Sequence, residues 1–478
     1  MIASTSIAKP TVIVGGGFVG LFCALHLRHR HYPAPIILID PKDRFIFRPL
    51  LFDFLSGELS DEQVWPRYEE LLQGSEVEFI QDAVSAIDLV ERSLTTAQGL
   101  TFDYGHLVLG LGATQGYFGT PGAADYAFAF RDRDHVVKLE QHLRQRLQKA
   151  SQIHDRQQRR DLLTIAVVGA GPSGIEMVAL LADWLPLHYG RLGGDPQDLR
   201  LILVNRSPEI LKGDANASLH DLVLEELQQR QMPVELLLGV AVEAVTPEGL
   251  QYRRSGTDAL EQVRGTVIWT AGVSNNPLLS QLEIPASDRD RHGMPYVLPT
   301  LQLLGYPEVF AAGDCAVVQD QPQPGLAQVA YQQGAAIAHN LLALSHNQPL
   351  SPAKVSLRGT LMGLGIDNAV ANLLNRYRVT GKPGSLLRKA TYLELLPTPL
   401  HNFKATMDWL SDELFQGHSD RPQTLEQREA GISRAIAITI VGLVAILGGF
   451  FATRLLNEPR SPQPPQSIPT QPAAPPTP

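Results

Sequence analysis

The chain has 478 residues, 44% of them hydrophobic and 19% charged, with a formal net charge of -9. That length is too great for one ordinary core and implies two or three globular domains. An acidic balance with no basic stripe argues against nucleic acid as a partner, and two cysteines, Cys23 and Cys315, rule out a disulfide framework and a thiolate metal site.

The N-terminus has no charged segment running into an apolar one, so no signal peptide is expected. The first strand is "PTVIVGGG", followed by a helix over "FVGLFCALHLRHR" and a second strand, "APIILID". Parallel strands joined by a helix imply a doubly wound sheet. "FDYGHLVLGLGAT" reads as a buried strand ending in small residues. Residues 135–161 read as a charged helix that links domains across the surface. The opening pattern then recurs as strand "LTIAVVG", helix "SGIEMVALLADWL" and strand "RLILVN", with "GTVIWTAGV" repeating the small-residue strand end. "VFAAGDCA" at 309–316 follows the sheet pattern of the first domain. "SLLRKATYLELL" and "HNFKATMDWLSDELF" read as amphipathic helices broken by "PTP" at 397–399. "AIAITIVGLVAILGGFFAT" is an uncharged run of bilayer-spanning length between Arg434 and Arg454, and the remaining tail is proline-rich.

The two recurring turns carry the chemistry. Gly15, Gly17 and Gly20 fit G-x-G-x-x-G between a strand and a helix, and Asp40 ends the next strand, where a carboxylate can hold ribose hydroxyls. Gly169, Gly171 and Gly174 repeat the spacing, with Glu176 just beyond. The following strand, however, ends in Asn205 and Arg206 rather than an acid. An acid there repels a 2′-phosphate, whereas a guanidinium recognises one, so use of NADPH, alone or beside NADH, is expected. Two dinucleotide sites in one chain suit a bound FAD in the first and a nicotinamide in the second. Asp314 is expected near the ribityl and phosphate end of the flavin. Thr114 and Gly272, at the two small-residue strand ends, are further candidate cofactor contacts.

Together these motifs resemble the type II NAD(P)H dehydrogenases, single-chain FAD enzymes that reduce quinones. The similarity runs through "VGGGFVGL", "FIFRPLLFDFLSGELS", "LVLGLGATQGYFGTPGAADYAF", "VVGAGPSGIEMVALLAD", "VIWTAGV", "VFAAGDCA" and "PGLAQVAYQQGAAIAHNL", across about residues 10 to 345. It implies an α/β fold with two Rossmann-like domains of the pyridine nucleotide-disulfide oxidoreductase type, followed by C-terminal membrane-associated helices. It also implies hydride transfer from NAD(P)H to bound FAD, then two-electron reduction of a membrane quinone. "AQVAYQQG" is similar to the family's quinone motif. The resemblance gives Gln328, Gln332 and Gln333 as quinone contacts, with Ala327 and Gln328 also beside the flavin. Gln328 and Gln332, four apart, share a helix face. Glu176 matches the family carboxylate that positions hydride transfer. The C-terminal stretch is more similar to the plant and cyanobacterial branch, whose members include reducers of demethylphylloquinone, a naphthoquinone of phylloquinone synthesis.

The resulting plan places the first part of the FAD-binding domain at 1–134, a linker helix at 135–162, the NAD(P)H domain at 163–275 and the second FAD part, with the quinone helix, at 276–346. An amphipathic helical region over 347–420 then precedes a transmembrane helix at 432–454 and a disordered tail at 457–478. The helices at 385–416 either lie in the headgroup plane, with Leu386, Leu387, Leu393 and Trp409 facing inward, or pack on the catalytic body. The expected location is a membrane (thylakoid or plasma membrane in a cyanobacterium), with the catalytic part on the cytoplasmic side. A single span carries no buried ionisable group, so no proton pumping is expected; a homodimer is left open. Two other readings are a disulfide or sulfide reductase, which needs reactive cysteines, and a non-catalytic flavoprotein like the apoptosis-inducing factors.

Overall fold

The computed structural model describes residues 9–212, 219–357, 359–373 and 377–395, all within one compact unit. Its first sheet grows from β1 (Thr11–Val14), with every residue buried, followed by α1 (Phe18–His29) and β2 (Ile36–Asp40). A short helix α2 (Leu51–Ser56) and strand β3 (His106–Leu109) come next. β1 lies between β2 and β3, parallel to both, with Val14 level with Ile39 and Leu109. Strands covered on both faces can be apolar throughout, which is why "TVIV" and "IILI" show no alternation.

Next comes α3 (Arg133–Gln152), capped by the Asp132 carboxylate, which accepts from the His135 N–H at 3.1 Å. Such a cap is worth about 1 kcal/mol. This segment was expected to cross the surface. Instead Val136, Leu139, Leu143 and Leu147 are buried at helical spacing, so one stripe of α3 is core. A second helix, Arg156–Leu163, follows it.

The second sheet is built on β4 (Thr164–Val168), α4 (Pro172–Arg191), β5 (Arg200–Asn205) and β6 (Thr266–Trp269). β4 lies between β5 and β6, again parallel to both, so the second lobe repeats the wiring of the first. An antiparallel ribbon, Ala113–Gln115 with Val273–Asn275, carries the chain out to this lobe and back. β7 (Tyr306–Ala311) then rejoins the first sheet beside β3, and α5 (Ala327–Ser345) packs on α1. This return follows from the repeated strand patterns.

The region after 347, expected to be amphipathic helix, opens instead with strands before its first helix. It forms an antiparallel sheet of β8 (Gly359–Gly363), β9 (Ala369–Leu373) and β10 (Tyr377–Val379), then α6 (Gly381–Glu394). The β-branched and small residues of "GTLMG" and "AVANL" account for the strands. α6 packs on the catalytic body through Ser385, Arg388 and Lys389, all buried, while Leu386 and Leu387 are only half-buried. The helix turns its charges inward because acidic side chains wait there. No helix among the described residues is long and apolar enough to cross a membrane. Trp409, the second amphipathic helix, the 432–454 run and the tail lie outside the described residues.

Candidate functional site

The two glycine turns superimpose in their bonding. Gly15 N–H donates to the Ile39 carbonyl and Gly169 N–H to the Val204 carbonyl, each at 2.8 Å. A Cβ on Gly20 would lie 1.9 Å from the Gly15 carbonyl oxygen, and one on Gly174 1.8 Å from that of Gly169. Only a bare glycine lets helix and strand close to that distance. Over Gly17 and Gly171 the space is open, with no atom nearer than 4.0 Å, and neither α1 nor α4 has a side-chain cap. Each cradle therefore presents uncapped helix N–H groups to an unobstructed space, the arrangement a pyrophosphate requires.

In the first cradle Asp40 accepts from the Gly16 N–H at 2.7 Å and the Lys42 N–H at 2.8 Å. Burial raises its pKa, and these donors oppose the rise. Asp314 sits on the turn after β7, beside the start of α5, in a small pocket with Gly313 and Gln333. Arg48 and Arg131 face the same place. Burial lowers the pKa of both, Arg131 to about 10 with Arg48 adding to the fall, while Asp314 opposes it in each. Arg131 is tied to the Ala113 carbonyl at 2.7 Å. Two guanidiniums that face Asp314 are donors of the kind a phosphate accepts from. The sequence reading passed over both; Arg48 follows Asp40 closely in "PKDRFIFRPL" and was open to notice.

In the second cradle Asn205 takes the place of Asp40. Its Oδ1 accepts from the Ala170 N–H at 3.2 Å, and its Nδ2 donates to the Ser207 and Glu209 carbonyls at 3.1 Å each. An aspartate could not make those last two bonds, so the amide is built into the loop. Arg206 is exposed next to it.

Glu176 lies one turn into α4, with its side chain largely buried. Its Oε1 accepts from the Gly363 N–H of β8 at 2.8 Å. Burial pushes the carboxyl up to about 7, against the pull of Arg388 and the Gly363 N–H. Arg388, on α6, forms a two-pronged pair with Asp53 of α2 at 2.9 and 3.0 Å and donates to the Pro49 carbonyl at 3.0 Å. Tyr392 underlies the guanidinium at 5.0 Å. Lys389 meets Glu58 at 3.3 Å and Asp367 at 3.8 Å. Asp53, Arg388 and Tyr392 lie in stretches noted for resemblance or amphipathicity, but no local motif marks out residues so far apart in the chain.

The glutamines of α5 divide. Gln333 is buried, and its Oε1 accepts from the Gly313 N–H at 2.8 Å, so it braces the turn that carries Asp314. Gln332 is clamped to Ser356 in both directions, donating at 3.1 Å and accepting at 3.0 Å. Gln328 reaches the Gly359 carbonyl at 3.3 Å, at the start of β8, and Ala327 opens the helix. The helix face that carries Tyr331 meets an aromatic row: Tyr331 to Phe22, Phe22 to Phe18, Phe18 to Phe47 and Phe47 to Tyr392. Thr114 donates to the Ser274 and Asn275 carbonyls at 3.1 and 3.3 Å, which places it in the ribbon between the lobes. Gly272 lies under the ring of Phe118.

Both cysteines are free and buried, and burial pushes both thiols up, Cys315 to about 11. Neither is a nucleophile at neutral pH. No group of three or more His, Cys, Asp or Glu suited to a metal occurs among the described residues.

Residues 9–334 match the family model for pyridine nucleotide-disulphide oxidoreductases. The chain is 32% identical over 426 residues to a demethylphylloquinone reductase of Synechocystis sp., covering 85% of this chain and 97% of that one. It is 30% identical over 375 residues to the type II NADH:quinone oxidoreductase of Mycobacterium tuberculosis, covering 76% and 79%. A solved structure of NDH2 from Plasmodium falciparum in complex with NADH shares the fold, with a TM-score of 0.75 at 18% identity over 85% of this chain and 98% of that one.

Proposed function

The chain belongs to the pyridine nucleotide-disulphide oxidoreductases and, among them, to the type II NAD(P)H:quinone oxidoreductases, and we propose that its physiological acceptor is a naphthoquinone of the demethylphylloquinone kind. It is an FAD enzyme that oxidises NAD(P)H and reduces a quinone. Bound FAD supplies the two-electron relay between a donor that dissolves in water and an acceptor that dissolves in lipid.

The chain's own residues divide the labour. Gly15, Gly17, Gly20 and Asp40, with Arg48, Arg131 and Asp314, hold the flavin's phosphate and ribose portion. Gly169, Gly171 and Gly174 receive the nicotinamide dinucleotide; Asn205 and Arg206 admit its 2′-phosphate, so NADPH is a substrate. Gln328 and the aromatic row from Tyr331 to Tyr392 receive the quinone ring, an amide donor beside flat apolar faces. Gln332 and Gln333 act through it, one by fixing the 356 loop and the other by fixing the Gly313 turn. Thr114 and Gly272 set the hinge between the lobes. Glu176 holds a proton near neutral pH beside the nicotinamide cradle. The observation that carries this reading is its placement: a buried carboxyl, two residues beyond the last cradle glycine, bonded to Gly363 at 2.8 Å.

The uncharged run at 435–453, within the proposed transmembrane segment 432–454, is proposed as the membrane anchor, with the catalytic body on the cytoplasmic side, where NAD(P)H is available. Steady-state turnover with both nicotinamides against a panel of naphthoquinones and benzoquinones tests the whole reading. Turnover of ubiquinone analogues with none of naphthoquinones would overturn the acceptor assignment.

A further inference from the structure

Arg388 is the most heavily constrained cation among the described residues. It lies on a helix with a polar sequence, yet only 3% of its surface is exposed. Asp53 occupies both terminal nitrogens, the Pro49 carbonyl takes a second bond from one of them, and Tyr392 covers one face. Of its three nitrogens, only Nε is buried without a hydrogen-bond partner. It lies 4.0 Å from Glu176 Oε1, about 1 Å beyond a charge-assisted hydrogen bond. A buried N–H left open beside a carboxyl oxygen is costly unless the gap closes in some state of the protein.

We infer that Arg388 is the positioning residue of Glu176: Asp53 and Pro49 fix its guanidinium so that the free Nε–H receives the Glu176 carboxylate when that group loses its proton. The inference rests on the reading of Glu176 as the proton-holding group of the site. Protonated, Glu176 is neutral and stays on the Gly363 N–H, as in the structure. When its O–H bond breaks, the proton passes to an acceptor oxygen or to water. The new negative charge then moves the short distance onto Nε without losing Gly363. Reprotonation from water reverses the step.

Of the groups facing Glu176, the one bonded to it is the Gly363 N–H. Asp53, from α2, has both oxygens on Arg388 and repels Glu176. Tyr392, from α6, keeps its proton, because burial pushes its phenol up to about 12, and its side chain is engaged with Arg388. β8 offers only the Gly363 N–H. The Lys389 ammonium belongs to Glu58 and Asp367. Arg388 thus stands between α2 of the first lobe and α4 of the second.

The test is infrared titration of the Glu176 carboxyl stretch, assigned by its loss in E176Q, with turnover against pH measured in parallel on the FAD-loaded protein. In the parent protein the band should bleach near neutral pH. In R388Q the midpoint should rise by about one pH unit or more, because the counter-charge is gone. R388K keeps a charge but has no Nε–H, and its midpoint should lie between the two. If R388Q fails to fold because Asp53 is orphaned, D53N/R388Q removes both charges and should show a smaller rise, because Arg388 lowers the Glu176 midpoint more than Asp53 raises it. An unchanged or lowered midpoint in a folded, FAD-containing variant overturns the inference. Absence of quinone turnover in the parent protein defeats the functional reading instead, and the infrared midpoint still decides the role of Arg388.

Discussion

Asp40 and Asn205 occupy the same position in two copies of one motif, and each accepts the peptide N–H directly after the first glycine, from Gly16 at 2.7 Å and Ala170 at 3.2 Å. They differ in charge. The acid suits an unphosphorylated ribose; the amide beside Arg206 tolerates a phosphorylated one.

N205D should therefore turn the enzyme towards NADH. The carboxylate would repel a 2′-phosphate and lose the two bonds to Ser207 and Glu209. A fall of about tenfold or more in kcat/KM for NADPH relative to NADH is expected. Comparison of the two nicotinamides under steady-state conditions reads it, and an unchanged ratio counts against the assignment.

G20A and G174A should separate the cofactors. Each forces a methyl into a carbonyl oxygen less than 2 Å away, and overpacking of that kind costs about 1–3 kcal/mol. G20A should emerge from purification with little flavin. G174A should stay yellow while its KM for NAD(P)H rises sharply. Absorbance of the purified variants and their kinetics distinguish the two effects.

The raised pKa of Glu176 makes a stability prediction with a definite sign. A carboxyl near 7 in the folded state, against an ordinary 4.5, binds its proton more tightly folded than unfolded. Stability therefore falls as pH rises from about 4.5 to about 7 and stays reduced above that. E176Q escapes the penalty and keeps an acceptor for Gly363. It should melt with the parent protein at pH 4.5 but above it at pH 8.5, by up to about 3 kcal/mol. Denaturant unfolding at the two pH values checks this.

Q328A and Q333A should fail in different ways. Loss of Gln328 should raise the KM for quinone while leaving the anaerobic rate of flavin reduction by NAD(P)H within about twofold. Loss of Gln333 removes the acceptor of the Gly313 N–H, and its main effect should be weaker flavin retention. Stopped-flow absorbance and flavin content separate the variants.

C23S and C315S should both retain turnover, and thiol alkylation of the folded protein should not inhibit it. Both thiols are buried and held protonated, so neither supports disulfide chemistry. Rapid inhibition by iodoacetamide would revive the reductase reading.

The sequence was legible wherever the signal is short in range. A glycine spacing, a strand of four or five apolar residues and an acid at a strand end are local patterns, and both lobes follow from them. The α3 segment was misread as a surface linker because its high charge hides a four-residue stripe of leucine and valine. Within the 347–420 region, read as amphipathic helix, α6 is helical, whereas residues 359–379 form strands that are short and rich in glycine and alanine.

The order of the residues alone determined two dinucleotide cradles, the difference between their strand-end residues and an uncharged run beyond the catalytic part. Only the tertiary structure decided that Gln333 braces the Gly313 turn while Gln328 reaches the start of β8, and that Arg388 lies between Asp53 and Glu176. Those assignments depend on which helix faces are brought together across the core, and a buried ion pair between distant segments leaves no periodicity to read.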